Sequence, residues 1–146
     1  HQPPLYTSAE AEVTRSLISE GCEIYGKVEN SVISPEVIVE EGAVVKDSII
    51  MANCVIKKGS FIDRCIIDEN TVVGENVKMG MGENIPNEEK PKIYNTGITV
   101  VGSDTTIPDN VEIGKNCVVS GKTTSDMYND GKLESGQTMS IGGVGI

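Results

Sequence analysis

Tryptophan is absent from this 146-residue chain, and phenylalanine and histidine occur once each, at Phe61 and His1. A core without large rings has to be narrow and built from aliphatic side chains. One histidine at the terminus leaves no three-imidazole zinc site and no histidine base within the body of the chain. Arginine is almost missing too, present only at Arg15 and Arg64. No apolar run is long enough to span a bilayer, and no signal peptide is recognisable. The net charge of −10 is spread along the chain and makes nucleic acid an unfavourable partner. The sequence starts His1-Gln2-Pro3-Pro4 without a methionine, so a fragment or a processed form is expected.

What the chain has instead is a rung of aliphatic residues. The series runs Val13, Ile18, Ile24, Val28, Ile33, Val39, Val45, Ile50, Ile56, Ile62, Ile67, Val73 and Met79, then resumes at Val101, Ile107, Ile113 and Val119. Steps are five or six residues, apart from a shorter one between Ile24 and Val28. Two residues ahead of each member stands a small side chain, such as Cys22, Gly26, Ser31, Ser48, Cys54, Cys65, Thr99 or Cys117. Steps of six, six and five close a period of 17, so that Ile33, Ile50 and Ile67 form one column. A fixed short period marks a solenoid in which each coil stacks on the next. Positions two apart on a strand share a face, so the large and the small residue both point inward.

The pairs Glu41-Gly42, Lys58-Gly59, Glu69-Asn70, Glu75-Asn76, Asp109-Asn110 and Lys115-Asn116 supply corners that tolerate a left-handed backbone. The spacing predicts an all-β, single-stranded parallel β-helix of hexapeptide repeats. An ordinary β-sandwich would alternate without repeating at 17. The row from Ile18 to Ile33 is two residues short, with the deficit near Tyr25-Gly26-Lys27. Spacing alone does not set the hand.

The organisation follows from the rung. Residues 1–10 read as a linker and first strand, 11–80 as β-helix coils, 81–98 as an inserted loop, 99–120 as a further coil and 121–146 as a C-terminal tail or cap. The loop is rich in proline, glycine and charge. It is expected to shield a corner or meet a partner or another domain, with Ile93 and Tyr94 resting on the prism wall. Leu133, Met139 and Ile146 are expected to add a strand or cover the open end. Gly121-Lys122-Thr123 echoes a phosphate loop, but Asn116 stands where that motif needs its upstream glycine.

All four cysteines (Cys22, Cys54, Cys65, Cys117) fall on the small inward position. They read as buried core thiols rather than disulfides or metal ligands, which suits a reducing compartment. Carboxylates such as Glu40, Glu41, Asp63 and Asp68 read as solubilising corner charges. Arg15 and Arg64 each precede a small inward residue beside a turn, where they would pair with a neighbouring carboxylate or hold a phosphate. With Ile93 and Tyr94 they are the candidate effector or interdomain contacts. No residue qualifies as catalytic, cofactor-binding or metal-ligating.

Several strings then resemble one family. Glu29-Asn30-Ser31-Val32-Ile33, the run Gly42 to Met51, Ile66-Ile67-Asp68-Glu69-Asn70, Asn84-Ile85-Pro86-Asn87 and the run Pro91 to Gly102 resemble the C-terminal domain of bacterial glucose-1-phosphate adenylyltransferase (ADP-glucose pyrophosphorylase). The likeness extends from about Gln2 to Gly121. It implies a left-handed β-helix that serves tetramer assembly and allosteric regulation by sugar phosphates or nucleotides. In that family an N-terminal nucleotidyltransferase domain makes ADP-glucose and pyrophosphate from ATP and glucose 1-phosphate, using magnesium. Its glycine-rich nucleotide loop, catalytic aspartate and sugar-phosphate lysine have no counterpart here. The resemblance therefore implies a cytoplasmic chain, inactive alone and without a cofactor of its own. Its implied partners are the N-terminal domain, further copies in a homo-oligomer and a sugar-phosphate or nucleotide effector. The family's effector contacts in the tail rely on arginines, and this tail has none. The rival readings are a hexapeptide acyltransferase, which lacks its histidine here, and the β-helix of another sugar-nucleotide pyrophosphorylase such as a mannose-1-phosphate guanylyltransferase.

Overall fold

The computed structural model describes residues 5–141, which wind into a three-sided parallel solenoid of strands two or three residues long. As far as Val118–Ser120 every third strand stacks on the same face; in the last coil the first face has only the Thr106–Lys122 bridge. The first face carries Tyr6–Thr7, Glu23–Ile24, Ile38–Val39, Val55–Ile56, Val72–Val73 and Thr106–Ile107. The second carries Glu12–Thr14, Lys27–Glu29, Val44–Lys46, Phe61–Asp63, Lys78–Met79, Glu112–Ile113 and Lys132–Leu133. The third carries Leu17–Ile18, Val32–Ile33, Ile49–Ile50, Cys65–Ile67, Thr99–Val101, Val118–Ser120 and Thr138–Ser140. All the ladders are parallel, with Ile33 beside Ile50 and Ile50 beside Ile67 at the 17-residue step.

The rung is the core. From Ile24 to Val119 each of its members is at most 1% exposed. Val13 departs from the expectation at 38% exposed, and Ile18 and Ala11 are only half-buried. They lie on the first coil, which among the described residues has no coil beneath it to close over them.

The small inward residues do more than fit. Near the corner between the second and third faces, each coil's serine hydroxyl accepts a backbone N–H from the next coil. Ser16 Oγ accepts from Ser31 N (3.0 Å), Ser31 Oγ from Ser48 N (3.1 Å) and Ser48 Oγ from Cys65 N (3.0 Å). Donors that the corner turns away from the regular ladder are satisfied in this way.

The corners are left-handed as expected, with φ between 54° and 76° at Gly42, Gly59, Asn70, Asn76, Asn110 and Asn116. The short row also lies where the sequence placed it: Val13 pairs with Val28 and Ile18 with Ile33, a 15-residue step. Gly26 permits it. A Cβ there would sit 2.3 Å from the Ala43 carbonyl oxygen and 2.8 Å from that of Glu40, so this corner turns pressed against the backbone of the coil above.

Residues 121–141 continue the solenoid. Lys122 bridges to Thr106, Leu133 lies beside Ile113 and Met139 beside Val119. Between them a 3-10 turn at Ser125–Met127 leads to Tyr128, whose ring is buried among the core residues. Its hydroxyl lies 2.9 Å from that of Thr123, which donates to Thr106 O. An aromatic ring therefore does enter the prism, at its last described coil. Gly121-Lys122-Thr123 is coil wall rather than a phosphate loop. Ile146, His1 and Pro3-Pro4 lie outside the described residues.

Candidate functional site

Catalysis requires titratable groups to converge. No three His, Cys, Asp or Glu side chains gather as a metal site among the described residues, and none of their helices is long and apolar enough to cross a membrane. The four thiols are buried and free. Desolvation raises the pKa of Cys54 and Cys117 to about 11 and pushes those of Cys22 and Cys65 up as well. They remain neutral near pH 7 and are not poised as nucleophiles.

The four candidate contact residues do not form one site. Arg15 and Arg64 both take the left-handed corner conformation, φ 46° and 54°. Arg15 Nη2 reaches Glu29 Oε1 at 3.6 Å, with 75% of the arginine side chain exposed. Such an open pair contributes little to stability. Arg64 is exposed and makes no ion pair among the described residues, contrary to the expected bridge. Ile93 and Tyr94 sit on the loop far along the chain. Ile93 is 65% exposed and so does not rest on the wall, whereas Tyr94 is half-buried and its carbonyl accepts from Asn87 N at 2.9 Å.

What seats the loop is a pair of asparagines that sequence reading passed over. Asn116 is fully buried at its corner. Its Nδ2 donates to Asn84 Oδ1 (2.6 Å) and Ile85 O (2.8 Å), and its Oδ1 accepts from Gly97 N (2.7 Å). Asn87, 1% exposed, donates to Asn116 O and Thr138 Oγ1, both at 3.0 Å, and accepts from Glu89 N and Lys90 N. Glu88 N reaches Gly136 O at 2.8 Å. The insertion thus straps the corner of residues 115–117 to the last described coil. Nothing in the local pattern sets Asn116 apart from the corner asparagines Asn70, Asn76 and Asn110, which are exposed.

A groove of about 510 Å³ opens between loop residues Met81 and Ile85 and the second face, floored by Lys78, Glu112 and Lys132. These three are neighbours in register. With Glu83 and Glu134 also lining it, carboxylates outnumber ammonium groups, which gives an anionic phosphate no net attraction.

The outer side of the third face is different in kind. Leu17, Val32, Ile49, Ile66, Val100 and Val118 point outward there in one register column. This continuous aliphatic ladder has Arg15 and Arg64 at the corner along one edge. The arrangement can make protein contacts; it cannot carry out acid–base or metal chemistry.

Three-sided parallel coils with an aliphatic rung define a hexapeptide-repeat left-handed β-helix. The chain belongs to the GlmU-like, C-terminal hexapeptide family, which residues 6–101 match. It is 46% identical over 142 residues to the glucose-1-phosphate adenylyltransferase of Acetivibrio thermocellus, covering 97% of this chain and 33% of that protein. To the enzyme of the same name from Thermotoga neapolitana it is 56% identical over 134 residues, covering 92% and 32%. The chain therefore spans about a third of the length of these relatives, their C-terminal part. Among solved structures, the acetyltransferase domain of PglB from Neisseria gonorrhoeae superposes with a TM-score of 0.51 at 16% identity, over 99% of this chain and 58% of that one, a likeness of fold alone.

Proposed function

We propose that this chain is the non-catalytic assembly and regulatory domain of a glucose-1-phosphate adenylyltransferase, the enzyme that converts ATP and glucose 1-phosphate to ADP-glucose and pyrophosphate for glycogen synthesis. The observation that carries the reading is 46% identity over 97% of the chain to the C-terminal part of an enzyme of that name. In this reading the nucleotidyltransferase chemistry and its magnesium belong to an N-terminal domain of the same polypeptide. The β-helix packs against that domain, joins subunits into a homo-oligomer and transmits the binding of a sugar-phosphate or nucleotide effector. Reduced, buried thiols suit the cytoplasm.

The test is ADP-glucose formation by this chain alone and by the full-length protein, with and without the β-helix. Activity only in the full-length protein, altered when the β-helix is removed or an effector is added, supports the proposal. Turnover by this chain alone would sink it, as would a full-length protein that used only another sugar phosphate, such as mannose 1-phosphate. The acyltransferase reading rests on fold likeness alone, and the single histidine, His1, lies outside the described coils.

A further inference from the structure

The third-face ladder is not evenly open. Leu17 is 73% exposed, Val32 44% and Ile49 40%, whereas Ile66 and Val100 are half-buried and Val118 is 4% exposed. At the buried end the chain supplies its own cover. Loop residue Asn87 bonds Thr138, which stands directly beside Val118 in the column. At the other end, the coils nearest the N-terminus leave adjacent aliphatic side chains in water, extended by Met51 at 37% exposed.

The size of the patch limits what can cover it. Six strands about 4.8 Å apart, each two or three residues long at about 3.3 Å per residue, give at most roughly 300 Å² for the whole ladder, well under half of what each partner contributes to a standard free-standing interface. A second copy docking here alone would be held weakly. A domain tethered in the same polypeptide starts from an effective concentration near millimolar and needs no more. Related proteins run to about three times this length, and this chain matches their C-terminal part, so their remaining chain enters at the N-terminal coils, beside the open end of the ladder.

We propose that the open end of this ladder, formed by Leu17, Val32 and Ile49, is the seat of the domain that precedes this one in the full-length protein. This rests on the reading of the chain as the C-terminal part of a longer adenylyltransferase. The occupant presents an apolar strip. At the corner of Arg15 the rim is of mixed charge, because Arg15 already pairs with Glu29 and the exposed Asp47 stands in the same corner column, whereas toward the opposite corner, where Glu20 and Glu36 are exposed, the occupant carries cations. Arg15 then acts at the rim of an interface, a setting in which arginine is enriched.

The experiment uses the full-length protein. Leu17→Cys and Val32→Cys are made singly and labelled with a maleimide, with Glu41→Cys at an exposed corner as the reference; the four thiols of this chain are buried, and labelling is read on the peptide that carries each new cysteine. Labelling at 17 and 32 is expected to be at least about tenfold slower than at 41, the protection given by a contact closed nine-tenths of the time. Leu17→Lys/Val32→Lys/Ile49→Lys is expected to speed protease cleavage between the domains by a similar factor. The first-face control Ile38→Lys/Val55→Lys/Val72→Lys is expected not to. Free labelling at 17 and 32, or equal effects of the two triple variants, overturns the proposal. Protection that disappears on dilution assigns the face to a second copy and overturns it too. Protection in a full-length protein that makes no ADP-glucose leaves the docking face standing and removes the enzymatic reading instead.

Discussion

Replacing Asn116 by glycine separates what a left-handed corner needs from what a buried side chain does. Asn116 has φ +56°, and glycine adopts that conformation without strain, so the backbone is left alone. Three hydrogen bonds disappear, to Asn84 Oδ1, Ile85 O and Gly97 N. The Gly97 amide is buried and loses its partner, at a cost of about 1–3 kcal/mol. Asn84 and Ile85 are exposed and rehydrate, so together they add about 1 kcal/mol. The expected loss is about 2–4 kcal/mol. Asn110→Gly is the matched control, since Asn110 is an exposed corner at φ +63° whose only bond is its backbone N–H to Glu75 O. It should cost less than about 0.5 kcal/mol. Urea denaturation gives the two losses, and amide exchange locates them. Gly97 and Glu88 are expected to exchange faster in the Asn116 variant while the Ile50 and Ile67 amides stay protected. If the two substitutions cost the same, or Gly97 exchange does not change, the side chain of Asn116 is not what holds the loop.

Ile50→Asp puts an unpaired charge into a fully enclosed position and should cost upwards of about 4 kcal/mol, whereas Glu41→Ala on an exposed corner should cost under about 0.5 kcal/mol; equal midpoints in denaturant would refute the register. Gly26→Ala forces a methyl to within 2.3 Å of the Ala43 carbonyl oxygen and should lower stability by more than about 2 kcal/mol, read as a drop in thermal midpoint; a neutral result would mean that this corner can move. Cys54 and Cys117 bind their protons more tightly folded than unfolded, so their contribution to stability is intact below about pH 9 and declines as pH rises toward about 11. Denaturation midpoints at pH 8 and pH 10.5 check this, with Cys54→Ala/Cys117→Ala expected to flatten the decline. An unchanged slope in that variant would place the loss in other groups.

The period of the solenoid was legible because its interior admits one kind of side chain at each position. Ile33, Ile50 and Ile67 therefore repeat without help from context, and the short row near Gly26 stood out as a break in a regular count. The ends were harder to read. Val13 obeys the rung but lies on a coil with nothing described beneath it, and periodicity carries no information about where stacking stops. The tail lost its pattern because its row is longer and its enclosed positions are filled by Thr123 and Tyr128. Ser31 and Ser48 looked merely small, although their hydroxyls satisfy backbone donors of the next coil. The loop contacts stayed hidden for a different reason: Asn87 and Thr138 are 51 residues apart, and no local rule relates them. Arg64 shows the limit of pairing by proximity, since a charge beside a corner meets acidic neighbours in sequence without meeting them in space.

That separation of 51 residues between Asn87 and Thr138 has a consequence during synthesis. Each coil can settle on the one before it as soon as about 17 further residues have left the ribosome. The inserted loop has no such neighbour. Its anchors at Asn116, Gly136 and Thr138 are still to be made when it emerges, and at about 5–20 residues per second that leaves it waiting roughly 3–10 s. Until Asn116 is made, about 30 residues after the loop residues it binds, Met81, Ile85 and Ile93 are apolar, untethered and within reach of the unfinished upper rim of the helix. The insertion is therefore open to a chaperone or a protease for longer than the coils on either side of it, and its closure ties the corner at Asn116 to the last described coil.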